Sequence, residues 1–273
     1  MRPFRRTTLL AVAVLTAAGL LALPSAAVAG PTRSPDAPTE AFARQVTRGP
    51  ALPLAGRVIV LDPGHQLGNH NFPSEINRLV PAGGFKKACN TTGTATDGGY
   101  PESTLNWRVA KLAQRRLEKA GAQVLLTRAA DRQDLWGPCI NTRGRIGNKV
   151  PADLKISIHG DGNYGGGPGF HVIAPTDRKP WTHDIYAPSK ALALAVRHSL
   201  HKGAGLPYAG YIAGGDGLDF RSDLGTLNLS NVPTVMVELG NMKDSADVDR
   251  MTSARGRRAY AAALARAAVK YLS

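Results

Sequence analysis

Short apolar runs alternate with longer amphipathic segments from residue 55 to the end of the chain. Apolar runs bounded by Gly, Pro or Asp predict strands, and apolar positions spaced three and four apart predict helices. The predicted strands are 57–62, 123–127, 154–158, 169–174 and 232–238, and the predicted helices are 103–120, 141–149, 188–203 and 255–272. This alternation predicts one α/β domain, a twisted, mostly parallel sheet with helices on both faces.

The helix predicted over 103–120 has recognisable start and stop signals. Ser103 and Thr104 are suitable N-cap residues, and Gly121 would end the helix in a left-handed conformation. Glu102 would then lie at the first turn of this helix, held at a fixed place beside the sheet.

The first 29 residues have the charged, apolar and small-residue parts of a secretory signal. Arginines at positions 2, 5 and 6 precede an apolar stretch over 9–23, and Ala27-Val28-Ala29 predicts cleavage after Ala29. This stretch of about 15 residues is shorter than the roughly 20 that a membrane-spanning helix needs, and no later run is longer. We expect a signal peptide over 1–29 and no transmembrane segment in the mature chain.

Residues 30–54 are rich in Pro, Thr, Ala and Arg and show no apolar period, which predicts a flexible leader. The folded domain is predicted over 55–273. The protein is expected to be secreted to the cell wall or periplasmic space, as a monomer.

The chain has two cysteines, Cys89 and Cys139. In an exported protein such a pair most simply forms one disulfide. Thiolate ligands to zinc are the alternative, but they need closer partners than this isolated pair offers.

The formal net charge is +14, and loss of the three signal arginines lowers it to +11. A positive field of this size favours anionic surfaces, and an exported protein would meet them at the cell envelope. A role in solubility alone stays open. We expect no nucleic-acid partner, because Lys and Arg are scattered, aromatic residues are few and no nucleic-acid module is recognisable.

Three of the predicted strands end in residues that bind metals or transfer protons. His65 follows the strand over 57–62, His159 follows 154–158, and Glu238 ends 232–238. The carboxyl ends of parallel strands lie at one edge of a sheet, where α/β proteins bind their ligands. The three side chains are therefore predicted to lie close together.

Two histidines and one glutamate form a known catalytic zinc set, which leaves one position for water. His65 and His159 supply the imidazoles, and Glu102 is the most plausible carboxylate. His70 in the adjacent loop could compete as a ligand. Each residue also has an alternative interpretation, as a hydrogen-bonded core histidine or a first-turn carboxylate.

A carboxylate close to the metal but not bound to it is what a zinc hydrolase needs as its base, and Glu238 is the candidate. Asp62, just before the Pro63-Gly64 turn, is expected to orient a histidine or cap the turn. Arg143 and Asn148 either bind substrate or support the strand that carries His159. The sequence does not separate these two roles.

Together these segments resemble the zinc-dependent N-acetylmuramoyl-L-alanine amidases of the amidase-3 type, which trim bacterial peptidoglycan. The matching segments are Ile59-Val-Leu-Asp-Pro-Gly-His65, Glu102, Leu125-Leu-Thr-Arg128, Arg143 and Asn148 ahead of Ala152-Asp-Leu-Lys-Ile-Ser-Ile-His159, and Val232-Pro-Thr-Val-Met-Val-Glu-Leu-Gly240. The resemblance covers nearly all of residues 55–272. It implies one zinc ion on His65, Glu102 and His159, a catalytic Glu238, and peptidoglycan or its muropeptides as substrate.

The chain departs from the common family pattern at two places. Asn241-Met-Lys-Asp244 follows the Glu238 motif, which resembles the mycobacterial branch, and Gly160-Asp-Gly follows His159. Both departures are expected in the cleft wall, where they would affect substrate detail more than metal binding.

The resemblance implies hydrolysis of the amide between N-acetylmuramic acid and L-alanine of the stem peptide. Three alternatives remain at this point: a zinc peptidase acting within the stem peptide, a non-catalytic cell-wall-binding module, and a secreted nuclease. The nuclease is the least favoured, because phosphodiester sites usually contain clustered aspartates or paired metals.

Overall fold

The computed structural model describes residues 52–273. The predicted signal peptide and almost all of the predicted leader lie outside the described residues. Leu54, the last residue assigned to the leader, is fully buried, and its backbone N–H donates to the Ala120 carbonyl at 2.9 Å. The folded body therefore includes at least one residue that composition had assigned to the leader.

Six strands form the main sheet, in the order β4-β1-β5-β8-β6-β7. Their bounds are β1 Val58–Pro63, β4 Gln123–Leu126, β5 Leu154–Asp161, β6 His171–Pro175, β7 Leu218–Arg221 and β8 Thr234–Asn241. Strands β4, β1, β5 and β8 are parallel, whereas β6 runs antiparallel to β8 and β7 runs parallel to β6. A separate hairpin pairs β2 (Leu79–Pro81) with β3 (Lys86–Ala88).

Helices cover both faces of the sheet, but unequally. Their bounds are α1 Pro73–Asn77, α2 Glu102–Lys119, α3 Ile140–Arg145, α4 His183–Ala204, α5 Gly225–Asn228, α6 Ser245–Thr252 and α7 Ala254–Leu272. The long helices α2, α4 and α7 pack in the main core on one face. The short helices α3 and α5 pack on the opposite face, near the hairpin. The predicted mostly parallel sheet with helices on both faces is confirmed.

The period-two alternation of the strands separates an apolar face from a polar one. In β5, Leu154, Ile156 and Ile158 pack in the core with the long helices, so Ser157 and His159 face the other side. In β8, Val237 packs in the same core and Glu238 faces away from it. The face covered only by short elements thus carries the polar side chains.

Several elements differ from the sequence prediction. Helix α4 begins at His183 and contains Pro188, which the prediction had taken as its start; burial of Ile185 keeps the preceding turn helical. Helix α3 ends at Arg145, four residues early. Strand β7, the hairpin and α6 had no prediction, because each is short and lacks a long apolar period.

The predicted caps of α2 are partly correct. Pro101 is the N-cap and makes no side-chain capping bond, so Ser103 lies inside the helix. Gly121 follows the C-cap with φ +101°, the left-handed conformation expected for it. Glu102 is the first residue of the helix, as predicted. Among residues 52–273, no helix combines the length and apolar character that a membrane crossing requires.

Candidate metal centre

His65 lies in the turn that follows β1, and the backbone there is tightly constrained. Its φ is +57°, and its Nδ1 lies 3.0 Å from the Thr91 carbonyl oxygen. A Cβ atom at the neighbouring Gly64 would lie 2.1 Å from Cε1 of His159, so only glycine allows this approach. The turn therefore holds the two imidazoles side by side.

Glu102 is buried at the start of α2 and contacts both histidines. Its Oε1 lies 3.2 Å from His65 Nε2 and 2.9 Å from His159 Nδ1. Its Oε2 accepts the Thr94 backbone N–H at 2.9 Å, and Asn106 donates to Oε1 at 3.2 Å. These two hydrogen bonds fix the orientation of the carboxylate, as bonds from neighbouring groups to a metal ligand do.

The structure brings together the three residues that the sequence proposed as ligands. One potential ligand atom from each of His65, Glu102 and His159 lies within 4.8 Å of the others. This is the one such group of His, Cys, Asp and Glu within residues 52–273. His70 is exposed and does not belong to it, so its competing role has no support.

The charges of the cluster suit a cation. Burial alone would raise the pKa of Glu102, but the adjacent His65 and His159 hold it well below its usual value. Burial alone would lower the pKa of His65, but Glu102 raises it. An ionised, buried carboxylate between two imidazoles is a donor set that fits zinc.

Glu238 lies beside this cluster without belonging to it. In the sheet it is the register partner of His159 on β5. Its Oε2 is buried and has no hydrogen-bond partner among the described residues. Burial, followed by the nearby charges of Glu102 and Asp161, raises the pKa of Glu238 well above its usual value. A raised pKa makes the Glu238 carboxylate a stronger proton acceptor than an exposed glutamate.

A cavity of about 280 Å³ joins Glu238 to the cluster. Its walls include His65, His159 and Glu238, together with residues from the hairpin, α3 and α5. The cavity thus opens on the polar face of the sheet, near the carboxyl ends of β1, β5 and β8.

Arg143 supports the His65 turn. Its Nη1 donates to Asp62 Oδ1 at 2.6 Å and to the Pro63 carbonyl at 2.8 Å, and its Nη2 donates to the His65 carbonyl at 2.6 Å. The side chain is buried, although it also lines the cavity wall. Of the two predicted roles, these contacts favour support of the site.

Asn148 connects two loops away from the cavity lining. Its amide donates to the Leu229 carbonyl and accepts from the Asn231 N–H, both at 2.9 Å. It holds the segment before β8, which again favours a supporting role. Substrate binding by Asn148 stays a prediction that this position does not favour.

Asp62 does not contact either histidine directly. It is fully buried and accepts hydrogen bonds from Arg143, Thr127 and Ser157. Burial alone would raise the pKa of Asp62, but Arg143 and the two hydroxyls hold it far below its usual value. Asp62 orients His65 only through Arg143, a role that sequence spacing could not reveal.

Cys89 and Cys139 form the predicted disulfide, which joins the segment after β3 to the residue before α3. These neighbouring elements supply part of the cavity wall through Ala88 and Ile140. The bridge therefore ties two elements of the wall together.

His171 is a neighbour of the site that no sequence motif indicated. It is the register partner of Glu238 on β6, so the row across the sheet reads His159, Glu238, His171. It is buried, and its Nδ1 has no partner among the described residues. The neighbour relation depends on antiparallel pairing of β6 with β8, which no local pattern predicted.

The family profile of N-acetylmuramoyl-L-alanine amidases matches residues 59–270. The chain belongs to this amidase-3 family. A curated member from Mycobacterium tuberculosis, N-acetylmuramoyl-L-alanine amidase Rv3717, is 40% identical over 222 residues, which cover 81% of this chain and 88% of the relative.

Solved structures of amidase-3 proteins agree with this assignment. The apo form of Ami1 from Mycobacterium abscessus is 45% identical with a TM-score of 0.73, and the match covers 80% of this chain and 100% of that one. Ami1 from Mycobacterium smegmatis is 37% identical with a TM-score of 0.73, covering 80% of this chain and 98% of that one. The predicted resemblance to mycobacterial members is confirmed.

The family departure after Glu238 has a structural role here. Asn241 accepts from the Asn163 N–H at 3.0 Å and donates to the carbonyls of Asn163 and Gly167. Asp244 caps α6 by accepting from Ala246 and Asp247. The segment therefore holds a glycine-rich loop and starts a helix.

Proposed function

We propose that the protein is a peptidoglycan hydrolase that cleaves the amide between the lactyl group of N-acetylmuramic acid and L-alanine of the stem peptide. The observation that carries the proposal is the cluster of His65, Glu102 and His159, whose two histidines line one cavity with Glu238. Membership of the amidase-3 family supports the choice of bond.

One zinc ion per chain is the proposed cofactor, held by His65, Glu102 and His159. Bound zinc would supply Lewis acidity toward the amide carbonyl and lower the pKa of the attacking water. The chain orients its own donors for this ion. The Thr91 carbonyl lies against His65 Nδ1, and Thr94 and Asn106 hold the Glu102 carboxylate.

Glu238 is the proposed general base and acid. As a carboxylate it would accept a proton from the attacking water and pass that proton to the departing amine of L-alanine, so the carboxylate is restored in each turnover. A buried carboxyl group with a raised pKa and an unpartnered oxygen suits this transfer.

The decisive variant is Glu238→Gln, with Glu118→Gln as a matched control on the exposed surface of α2. We expect Glu238→Gln to retain one zinc per chain and to lose hydrolysis by at least a hundredfold, because general acid–base catalysis typically contributes about 10²–10⁴-fold. Glu118→Gln should match the wild type in both measurements. Elemental analysis gives the metal content, and mass spectrometry of digested muropeptides gives the rate.

The same digest identifies the bond. Release of the complete stem peptide with a new amino terminus at L-alanine supports the amidase, whereas shortened peptides still attached to sugar support a zinc peptidase. Binding to sacculi without any new amino termini would indicate a non-catalytic wall-binding module. If Glu238→Gln hydrolysed muropeptide at the wild-type rate, Glu238 would not be the general base and acid.

Export belongs to the same proposal. We infer that residues 1–29 direct secretion and that the mature protein acts at the cell wall, because peptidoglycan is found there. The positive charge of the chain would favour the anionic envelope.

A further inference from the structure

A second, larger cavity lies on the face of the sheet opposite the metal centre. It is a groove of about 670 Å³ between α2, α4 and α7. Its floor contains small residues such as Ala120, Gly203 and Ala262. Its cationic residues are Arg116, Lys202, Arg266 and Lys270, all of them exposed.

These four cations have no carboxylate partner within residues 52–273. None of them takes part in an ion pair, and no Asp or Glu lines the groove. The whole of α7 contains no acidic residue. Like charges this close repel one another, so a bound anion would stabilise the arrangement.

The Arg266 guanidinium lies against a glycine in the facing helix. A Cβ atom at Gly203 would lie 2.5 Å from the Arg266 guanidinium, so that group occupies the space which a side chain would fill. The groove is thus shaped by helix packing and is more than a set of cations on a convex surface.

The positive charge continues along the seam between α2 and α7. A second recess of about 350 Å³ contains five more cations, which are Arg108, Lys111, Arg115, Arg257 and Arg258. The two recesses lie along the same pair of helices, because each is lined by residues of both α2 and α7. A track of this kind suits a linear polymer better than a single small anion.

The apolar side chains that line the seam, Trp107, Leu112 and Val269, are partly buried and do not project for insertion into a bilayer. Of the large exposed apolar residues among those described, Leu194 is the one that lies on α2, α4 or α7. Six of the nine cations are arginines, whose guanidinium groups bind phosphate oxygens in a bidentate way. These features favour a phosphate polymer over a lipid surface.

We propose that the α2–α7 seam binds a linear phosphodiester polymer of the cell envelope. This site lies on the face away from the cavity of the metal centre, so the polymer and a muropeptide can be bound together. Binding would keep the enzyme at the wall between cleavage events. The assignment of the polymer to the envelope rests on the proposed function, whereas binding of a phosphate polymer does not.

The test compares two fourfold variants of the zinc-loaded protein. The seam variant is Arg116→Gln, Lys202→Gln, Arg266→Gln and Lys270→Gln. The control is Arg145→Gln, Lys149→Gln, Lys179→Gln and Lys190→Gln, which removes the same charge from exposed positions outside the seam. The probe is long-chain inorganic polyphosphate, with binding measured over a range of salt concentrations.

We expect the seam variant to bind polyphosphate at least tenfold more weakly, with a smaller slope of log affinity against log salt. The control should lose less than threefold. Both variants should hydrolyse soluble muropeptide at the wild-type rate, which separates a failure of this proposal from a failure of the amidase assignment.

Equal losses in the two variants would overturn the proposal, because net charge alone would then explain binding. It would also be overturned by tighter binding to phosphatidylglycerol vesicles or to duplex DNA than to polyphosphate. Tighter binding to the vesicles or to the DNA would identify another class of partner for the seam.

Discussion

At the scale of single residues, one guanidinium group connects most of the support for the metal centre. Arg143 bonds the Asp62 carboxylate and the carbonyls of Pro63 and His65; the first two contacts are buried and the third is partly buried. A planar group with five donors can make these contacts together, which an ammonium group cannot. The position of His65 therefore depends on a side chain that is not a ligand.

Replacing Arg143 with Ala should destabilise the fold by about 3–5 kcal/mol, because Asp62 would be left buried without its cation. Urea unfolding measures this loss, and zinc affinity should fall with it, as the His65 turn loses its support. Arg145→Ala, two residues further on and exposed, should change stability by less than about 0.5 kcal/mol.

The lowered pKa of Asp62 determines how the stabilisation by the Asp62–Arg143 ion pair depends on pH. Because the pKa in the folded state lies below the unfolded value, the stabilisation is present above the unfolded pKa and is lost as the pH falls through the folded one. If Arg143→Ala had the same free energy of unfolding as the wild type, the ion pair would contribute nothing to stability.

At the scale of elements, the sequence located the strands that carry the site but not the surroundings of the site. Apolar runs before His65, His159 and Glu238 were sufficient to predict β1, β5 and β8, and parallel pairing then predicted that the three residues meet. The antiparallel pairing of β6, which brings His171 beside Glu238, depends on tertiary packing and has no local signal. The position of Glu102 in the first turn of α2 was predicted correctly, because α2 has a long amphipathic pattern.

The wall elements were the least predictable part of the site. The hairpin β2–β3 and α5 contain three or four residues in each strand or helix, too few to show a period. The disulfide between Cys89 and Cys139 was an exception, because cysteine count and export together predicted it.

Removing this disulfide by Cys89→Ser with Cys139→Ser should reduce stability by about 4 kcal/mol, the chain-entropy value for a loop of about 50 residues. Thermal unfolding of the oxidised wild type and the double variant measures the difference. Reduced wild-type protein is the matched control and should resemble the variant. A difference below about 1 kcal/mol would show that packing alone holds the hairpin segment against α3.

At the scale of the whole molecule, the two faces of the sheet carry different sets of functional side chains. One face carries the proposed zinc ligands and Glu238 under short elements, and the other carries the three long helices and the groove with four cations that have no ion-pair partner within residues 52–273. The metal centre also joins parts of the chain that are far apart in sequence, namely the turn after β1, the start of α2 and the end of β5. Metal binding should therefore affect the stability of the whole domain.

Zinc at a hundred times its dissociation constant should stabilise the domain by about 2.7 kcal/mol, provided that the unfolded chain does not bind it. Calorimetry before and after treatment with a chelator measures the shift in Tm. Glu102→Gln should greatly reduce the shift, because a neutral amide oxygen binds zinc much more weakly than a carboxylate, whereas Glu118→Gln should leave it intact. An unchanged Tm after complete removal of zinc would contradict the proposed ligand set.

The contact between Gly64 and the ring of His159 has a consequence for how a cation would enter. Main-chain atoms already fill the space on one side of that imidazole, so the ring has little room to rotate. The separation of the two histidines is then a property of the backbone and depends little on rotamer choice. The site would therefore be preorganised for the ion, and little conformational entropy would be lost when the ion binds.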